Sequence, residues 1–104
     1  MVDFDDPNNQ LFLTRVFQAL ANVNTRKILE TLAHGPCSRG DLLLVLDTST
    51  ARIVEVMEIL HTIGLVAEKE TREGKVYVFN PTGLDLGRSW LERLYSIVDG
   101  RALK

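Results

Sequence analysis

The side chains with the plainest chemical use in this sequence are cations and hydroxyls that flank short turns. Ser49, Thr50 and Arg52 open the apolar-periodic run "TARIVEVMEILHTIG", with Glu55 a turn further on. Arg72 and Lys75 bracket Glu73 and Gly74 in "TREGK", and Arg39 follows Ser38 in "CSRGDLL". The N–H groups and dipole at a helix start can receive a phosphate. Arginine can pair with a guanine edge or a phosphate, and a glutamate can accept from a cytosine amino group although it repels phosphates. Arg39, Ser49, Thr50, Arg52, Glu55, Arg72 and Lys75 are therefore candidate contacts to double-stranded DNA. The competing reading is an ordinary solvated charged face. Val54, expected to point outward, could touch a thymine methyl or belong to a protein-binding patch.

Other chemistry has little to work with. No nucleophile elbow, phosphate-binding glycine loop or metal-binding His/Glu spacing is present, so no enzyme and no cofactor are expected. The single cysteine, Cys37, cannot form an intramolecular disulfide or a multi-cysteine metal site. It is either a small apolar residue at a helix start or a thiol activated by that helix start and by Arg39, hence a possible redox switch. His34 and His61 fall on different segments with no acidic cluster beside them in sequence, and read as surface residues.

Positioning these side chains is the work of one small domain. The 104 residues carry 45% hydrophobic and 25% charged residues and a formal net charge of −2, an ordinary globular composition that by itself favours no partner. No apolar run approaches the roughly 20 residues of a membrane span, and the acidic start (Asp3, Asp5, Asp6) is unlike a signal peptide, so no membrane and a cytoplasmic location are expected.

Residues 1–8 read as a flexible N-terminal arm and 100–104 as a C-terminal tail, with the domain over 9–99. From about Asn9, Phe12, Val16, Phe17 and Leu20 recur at helical spacing. Asn22 or Asn24 can cap a second helix with the stripe Ile28, Leu29 and Leu32, stopped by Gly35. Ser38, with Asp41 three residues on, can cap a short third helix whose apolar residues are Leu42, Leu43 and Val45. Ser49 can cap a longer helix, about 50–63, whose buried face is Ile53, Val56, Met57, Leu60 and Ile63. After Gly64 the period becomes that of strands. "LVAEKE" and "KVYVFN", joined by "TREG", form a hairpin. Thr82 can cap a last helix bearing Leu84, Trp90, Leu91, Leu94, Tyr95 and Val98. The order helix, helix, helix, helix, strand, strand, helix is a mainly α winged helix-turn-helix with a small β-hairpin. In it the second helix of the helix-turn-helix faces the major groove and the hairpin wing lies on the backbone or minor groove.

The segments "ALANVNTRKILETLAHGP", "SRGDLLLVL", "ILHTIGLV" and "REGKVYVFN", in this order, resemble the ArsR-like winged-helix repressors over about residues 12–95. The resemblance implies a dimeric repressor that blocks polymerase. The family's Asp-Pro-Thr-Arg run reads here Asn22, Val23, Asn24, Thr25. Its Ser-Thr-Val-Ser opening of the recognition helix reads Ala51, Arg52, Ile53, Val54, and Val56 replaces a histidine. One metal site of the family is a Cys-x-Cys pair where this chain has Ser38, Arg39 and Gly40. Another uses Asp, His and Glu on a final helix that here carries Asp85 and Glu92 without a histidine. No metal is expected.

The expected function is therefore a DNA-binding regulator, a homodimeric repressor that meets a palindromic operator through helix 49–63 and the 71–75 wing. Phe12, Leu13, Phe17, Trp90, Leu91, Leu94, Tyr95 and Val98 supply more apolar surface than one small monomer readily buries, and are the candidate dimer interface. The alternative is a protein-interaction module that kept the fold and lost the DNA code, motivated by Val54, Glu55, Val56 and Glu58.

Overall fold

The computed structural model describes residues 2–102. The elements run α1 (Pro7–Leu20), α2 (Val23–Ala33), α3 (Arg39–Val45), α4 (Thr50–Thr62), β1 (Val66–Thr71), β2 (Gly74–Phe79), a 3-10 turn (Pro81–Leu84) and α5 (Asp85–Ala102). This is the winged helix-turn-helix order, with the two strands forming an antiparallel hairpin.

Local chemistry sets the helix starts. Asn22 caps α2, its side-chain oxygen accepting from the N–H groups of Asn24 and Thr25. Ser38 and Asp41 form a reciprocal capping box on α3: the Ser38 hydroxyl accepts from Asp41 N–H at 3.1 Å and the Asp41 carboxylate from Ser38 N–H at 2.9 Å. Ser49 accepts from Arg52 N–H at 3.1 Å and starts α4.

Three boundaries differ from the sequence reading. α1 begins at Pro7 rather than near Asn9, because the Asp6 carboxylate accepts from Asn8 N–H at 2.8 Å and proline suits the first helical turn. The expected loose arm folds back: Asn9 Nδ2 donates to the Asp3 carbonyl at 2.9 Å, and the Arg93 guanidinium lies 5.4 Å from the Phe4 ring centroid. Thr82 does not cap the last helix. Its hydroxyl donates to Asn80 Oδ1 at 2.7 Å, a 3-10 turn intervenes, and α5 starts at Asp85. α5 continues to Ala102, into the expected tail; Met1 and residues 103 and 104 lie outside the described residues.

One core joins Val16, Ile28, Leu42, Ile53, Leu60 and Leu65. α3 faces it through Leu42 and Leu46. Leu43 is only partly buried and Val45, one of the three apolar residues named for this helix, is exposed, as is Leu44 at 87%. Residues 42 and 46 are four apart and lie over one another, so a helix this short has no second inward row.

Between helix and wing the chain turns at Gly64, with φ 78°, a left-handed conformation that suits glycine. Leu65 N–H returns to the Leu60 carbonyl at 2.9 Å. Asn80 clamps the turn from beyond the wing: its N–H donates to the Leu65 carbonyl at 2.8 Å and its side-chain amide to the Gly64 carbonyl at 3.1 Å. Gly83 packs against the same turn so closely that a Cβ there would stand 2.5 Å from the Gly64 oxygen and 2.9 Å from Leu65 Cδ2.

The molecule is elongated, 56 × 25 × 23 Å. α5 packs on α1 through its first half, where Trp90 meets Phe17 edge-to-face with ring centroids 5.7 Å apart. From Leu91 to Gly100 every residue of α5 is exposed.

Gly83→Ala is expected to destabilise the domain by about 1–3 kcal/mol, because backbone oxygen and a buried leucine must both yield. Urea unfolding checks it. A midpoint equal to wild type would mean that the close approach relaxes without cost.

Candidate nucleic-acid interface

α4 buries Ile53, Val56, Met57 and Leu60 on one side. Its opposite ridge presents Ala51, Glu55, Glu58 and Thr62, all exposed, at helical spacing. Ser49, Thr50 and Arg52 stand exposed at its N-terminal end. The Ser49 hydroxyl accepts from Arg52 N–H as the helix cap, and its own proton stays available to a phosphate oxygen.

The candidate cations fall into two groups, one on each flank of that ridge. Arg52 lies on the α1 side, in a groove that α4 makes with α1. Its guanidinium meets the Glu55 carboxylate at 3.4 Å, with both side chains substantially exposed. Such a pair is worth at most about 1 kcal/mol, so Arg52 is readily recruited elsewhere. Arg39 and Lys75 lie on the wing side and line one shallow hollow of about 250 Å³ with Ser38, Gly40 and Tyr77. Lys75 meets Glu68 on the other strand at 3.3 Å, again half-exposed. Arg72 and Glu73 form the hairpin tip, where the Thr71 hydroxyl donates to the Gly74 carbonyl at 2.7 Å and accepts from Glu73 N–H at 3.2 Å.

What brings Arg39 to Lys75 is a contact that the sequence did not signal. Cys37 and Tyr77 pair as an isolated antiparallel bridge, with Cys37 N–H to the Tyr77 carbonyl at 3.1 Å and Tyr77 N–H to the Cys37 carbonyl at 2.7 Å. The loop before α3 is thus tied to β2, two residues from Arg39 on one side and from Lys75 on the other. A cysteine used through its backbone, next to a cap, gives no periodic pattern to read.

The Cys37 thiol is half-buried and donates to the Gly35 carbonyl. Burial raises its pKa above the ordinary thiol value and the nearby Asp41 carboxylate raises it further. An activated thiol needs a shift in the opposite direction.

Neither valine offered for a protein-docking face is fully outward, and Val56 lies on the buried stripe where its spacing puts it. Val56 is buried and belongs to the core, so it drops out of any docking surface. Val54 is half-buried in the hollow between α4 and the wing, beside Met57 and Tyr77. Ile59, by contrast, is 50% exposed on the Arg52 flank, where the sequence reading overlooked it. Among the candidate interface residues on α1 and α5, Leu13 is buried, and Phe12, Phe17 and Trp90 are half-buried. Leu91, Leu94, Tyr95 and Val98 are exposed, joined by Leu11 and Ile97.

Among the described residues no group of three or more His, Cys, Asp or Glu side chains is arranged to hold a metal ion, and no helix is long and apolar enough to cross a membrane.

A curated relative, the HTH-type transcriptional regulator Rv2034 of Mycobacterium tuberculosis (strain ATCC 25618 / H37Rv), is 37% identical over 82 residues, covering 79% of this chain and 77% of the relative. An ArsR-like transcriptional regulator from Rhodococcus sp. RHA1 superposes with a TM-score of 0.79 at 25% identity, over 92% of this chain and 91% of that one. The chain belongs to the ArsR-like winged helix-turn-helix transcriptional regulators. A further ArsR family regulator, RHA00566, shares the fold at 18% identity with a TM-score of 0.76, over 95% and 97% of the two chains. No protein-family model matches the chain. DNA binding and regulation of transcription come with membership of this ArsR-like family.

At pH 8, Cys37 in the folded protein should alkylate with iodoacetamide more slowly than it does in urea. A pKa raised on folding lowers the thiolate fraction there, and the two rates should converge only well above the ordinary thiol pKa. A faster reaction in the folded protein would revive the activated thiol.

Proposed function

We propose that the protein is a homodimeric repressor whose two α4 helices enter successive major grooves of a palindromic operator while the wings lie on the flanking backbone. Family membership supports this reading, and one observation carries it. α4 buries its apolar stripe and leaves Ser49, Thr50 and Arg52 exposed at its N-terminal turn. In the proposed complex Arg52 reads a base edge or grips a phosphate, Ser49 and Thr50 anchor a phosphate, and Arg39, Arg72 and Lys75 hold the backbone beside the wing. Glu55 orients Arg52, and where the operator offers a cytosine it accepts from the amino group.

The dimer is proposed to form through the exposed half of α5. Leu91, Leu94, Tyr95, Ile97 and Val98 are each at least 43% exposed, an apolar face too large to leave in water. Leu13 lies inside the protomer, and Phe12, Phe17 and Trp90 support the face from below. Two-fold pairing there would set the recognition helices about 34 Å apart, one turn of DNA.

The Glu55 and Glu58 ridge favours a second reading, a winged helix that docks a protein in place of a specific operator.

Selection from random duplexes at low salt should enrich a palindrome. Arg52→Ala should weaken binding to it by about 1–3 kcal/mol, roughly 5- to 150-fold, and relax preference at one position in each half-site. Lys75→Ala, removing one phosphate contact per protomer, should lower the slope of log affinity against log salt by about 2 for a dimer, with little loss of sequence preference. No binding even at about 50 mM salt, where phosphate contacts are strong, would leave the protein-docking reading in its place.

Leu94→Glu should convert a dimer to a monomer in sedimentation equilibrium with an unchanged far-ultraviolet spectrum, because Leu94 is 43% exposed in the protomer. A wild-type monomer at micromolar concentration would exclude the α5 interface.

A further inference from the structure

The Arg52 flank of α4 borders a groove of about 670 Å³, within the range of small-molecule sites. Its floor is apolar, made by Ala19 of α1 and by Val56, Ile59 and Ile63 on the α4 side. Ile59 is the anomaly. A residue 50% exposed, apolar and one turn from the end of a recognition helix has no role in the core and lies too far along α4 to touch the bases that Arg52 would reach.

The walls carry charge. Arg15 of α1 and Arg52 of α4 both line the groove, and among the described residues Arg15 forms no ion pair. Of the two carboxylates, Glu55 is engaged by Arg52, and Glu58 sits on the crest shared with the hollow on the wing side. Among the described residues Arg15 thus stands as an unpaired cation on the α1 wall, beside the apolar floor, while the unpaired carboxylate, Glu58, stands on the α4 crest.

The groove also stays open in the proposed dimer. Phe17 faces α5, touching Trp90 and lying against Gly87. Arg15 and Ala19 are each two residues from Phe17, about 200° around the helix, and so lie on the opposite side of α1 from α5.

We propose that this groove binds a small amphipathic organic anion, its apolar body on Ile59, Val56 and Ala19 and its anionic head at Arg15, and that the bound anion competes with DNA for Arg52. The competition rests on the DNA-binding reading; occupancy of the groove does not. An anionic head within reach of Arg52 replaces the weak Glu55 partner and draws the guanidinium off the DNA side. Since affinity coupling is reciprocal, DNA must lower affinity for the anion by the same factor as the anion lowers affinity for DNA.

The probe is decanoate, below its micelle concentration, with decanol as the uncharged control. In the protein without DNA, amide resonances of residues 15–22 and 52–63 should shift saturably with decanoate. Arg15→Gln and Ile59→Gln, both at exposed positions and checked for an unchanged spectrum, should each weaken binding by about tenfold or more, the scale of one lost contact of about 1.4 kcal/mol. Decanol should bind more weakly, and Arg15→Gln should not affect it. Saturating decanoate should then lower wild-type affinity for the selected duplex, and Arg15→Gln should remove that effect. Shifts confined to α5, no saturation, or equal binding of decanol and decanoate would overturn the site. Localised binding with unchanged DNA affinity would overturn the competition alone. Absence of DNA binding in every condition would be a failure of the functional reading, with the titration of the free protein still deciding the groove.

Discussion

Ile53, Val56, Met57 and Leu60 are buried together on one side of α4, Ile53 and Leu60 with no measurable exposure, and the rest of the site follows from that burial. A helix has 3.6 residues per turn, so fixing those positions fixes every other. Ala51, Glu55 and Glu58 must form the outward ridge, Arg52 and Ile59 must fall on one flank, and Val54 and His61 on the other. The termini are fixed as firmly: Ser49 caps the start, and at the end Leu65 N–H returns to Leu60 while Asn80 holds the Gly64 turn. α4 can neither rotate nor slide without exposing core, so its surface is presented as a rigid unit.

The wing inherits its position from the same turn. Gly64 starts it, Asn80 closes it, and Gly83 admits the next segment against its backbone. A second tie comes from the opposite end of the helix-turn-helix, where Cys37 and Tyr77 exchange both backbone hydrogen bonds. With two attachments the hairpin cannot swing as a free two-stranded ribbon, which would have little stability in water. Arg39, at the first position of α3, and Lys75, near the start of β2, are thereby held across one hollow although far apart in sequence.

Much of this was legible because the signals are local. The stripe of α4, the Ser38 and Asp41 capping box, and the Gly64 and Gly74 turns each need only a few consecutive residues to be recognised, and each stands where the sequence placed it. What failed depended on contacts between distant segments. Val45 is apolar yet exposed, because α3 is too short to turn a second row to the core. Thr82 looked like a cap, but Asn80 takes its hydroxyl. Leu13, offered as interface, is buried within the protomer, whereas Ile59, which the spacing of the buried stripe leaves out, is half in solvent. Whether an apolar side chain is covered depends on the neighbour that covers it, and periodicity in one helix does not carry that information.

The electrostatics of α4 bear on what the proposed dimer and the wing would contribute. The ridge bears Glu55 and Glu58, and Arg52, the cation that α4 itself places beside it, is shared with Glu55. A helix of this kind enters a phosphate-lined groove at a cost, and the favourable contacts are confined to its first turn. Lys75 is likewise shared, with Glu68. Each protomer thus holds a few cations that must leave weak intramolecular partners before they reach DNA. Joining two protomers makes the second set of contacts intramolecular, and the effective concentration so gained offsets what each protomer lacks. On this view the exposed apolar half of α5 and the sparse charge of α4 are two sides of one arrangement. The weaker the single reading head, the more the proposed repressor would depend on the spacing of two.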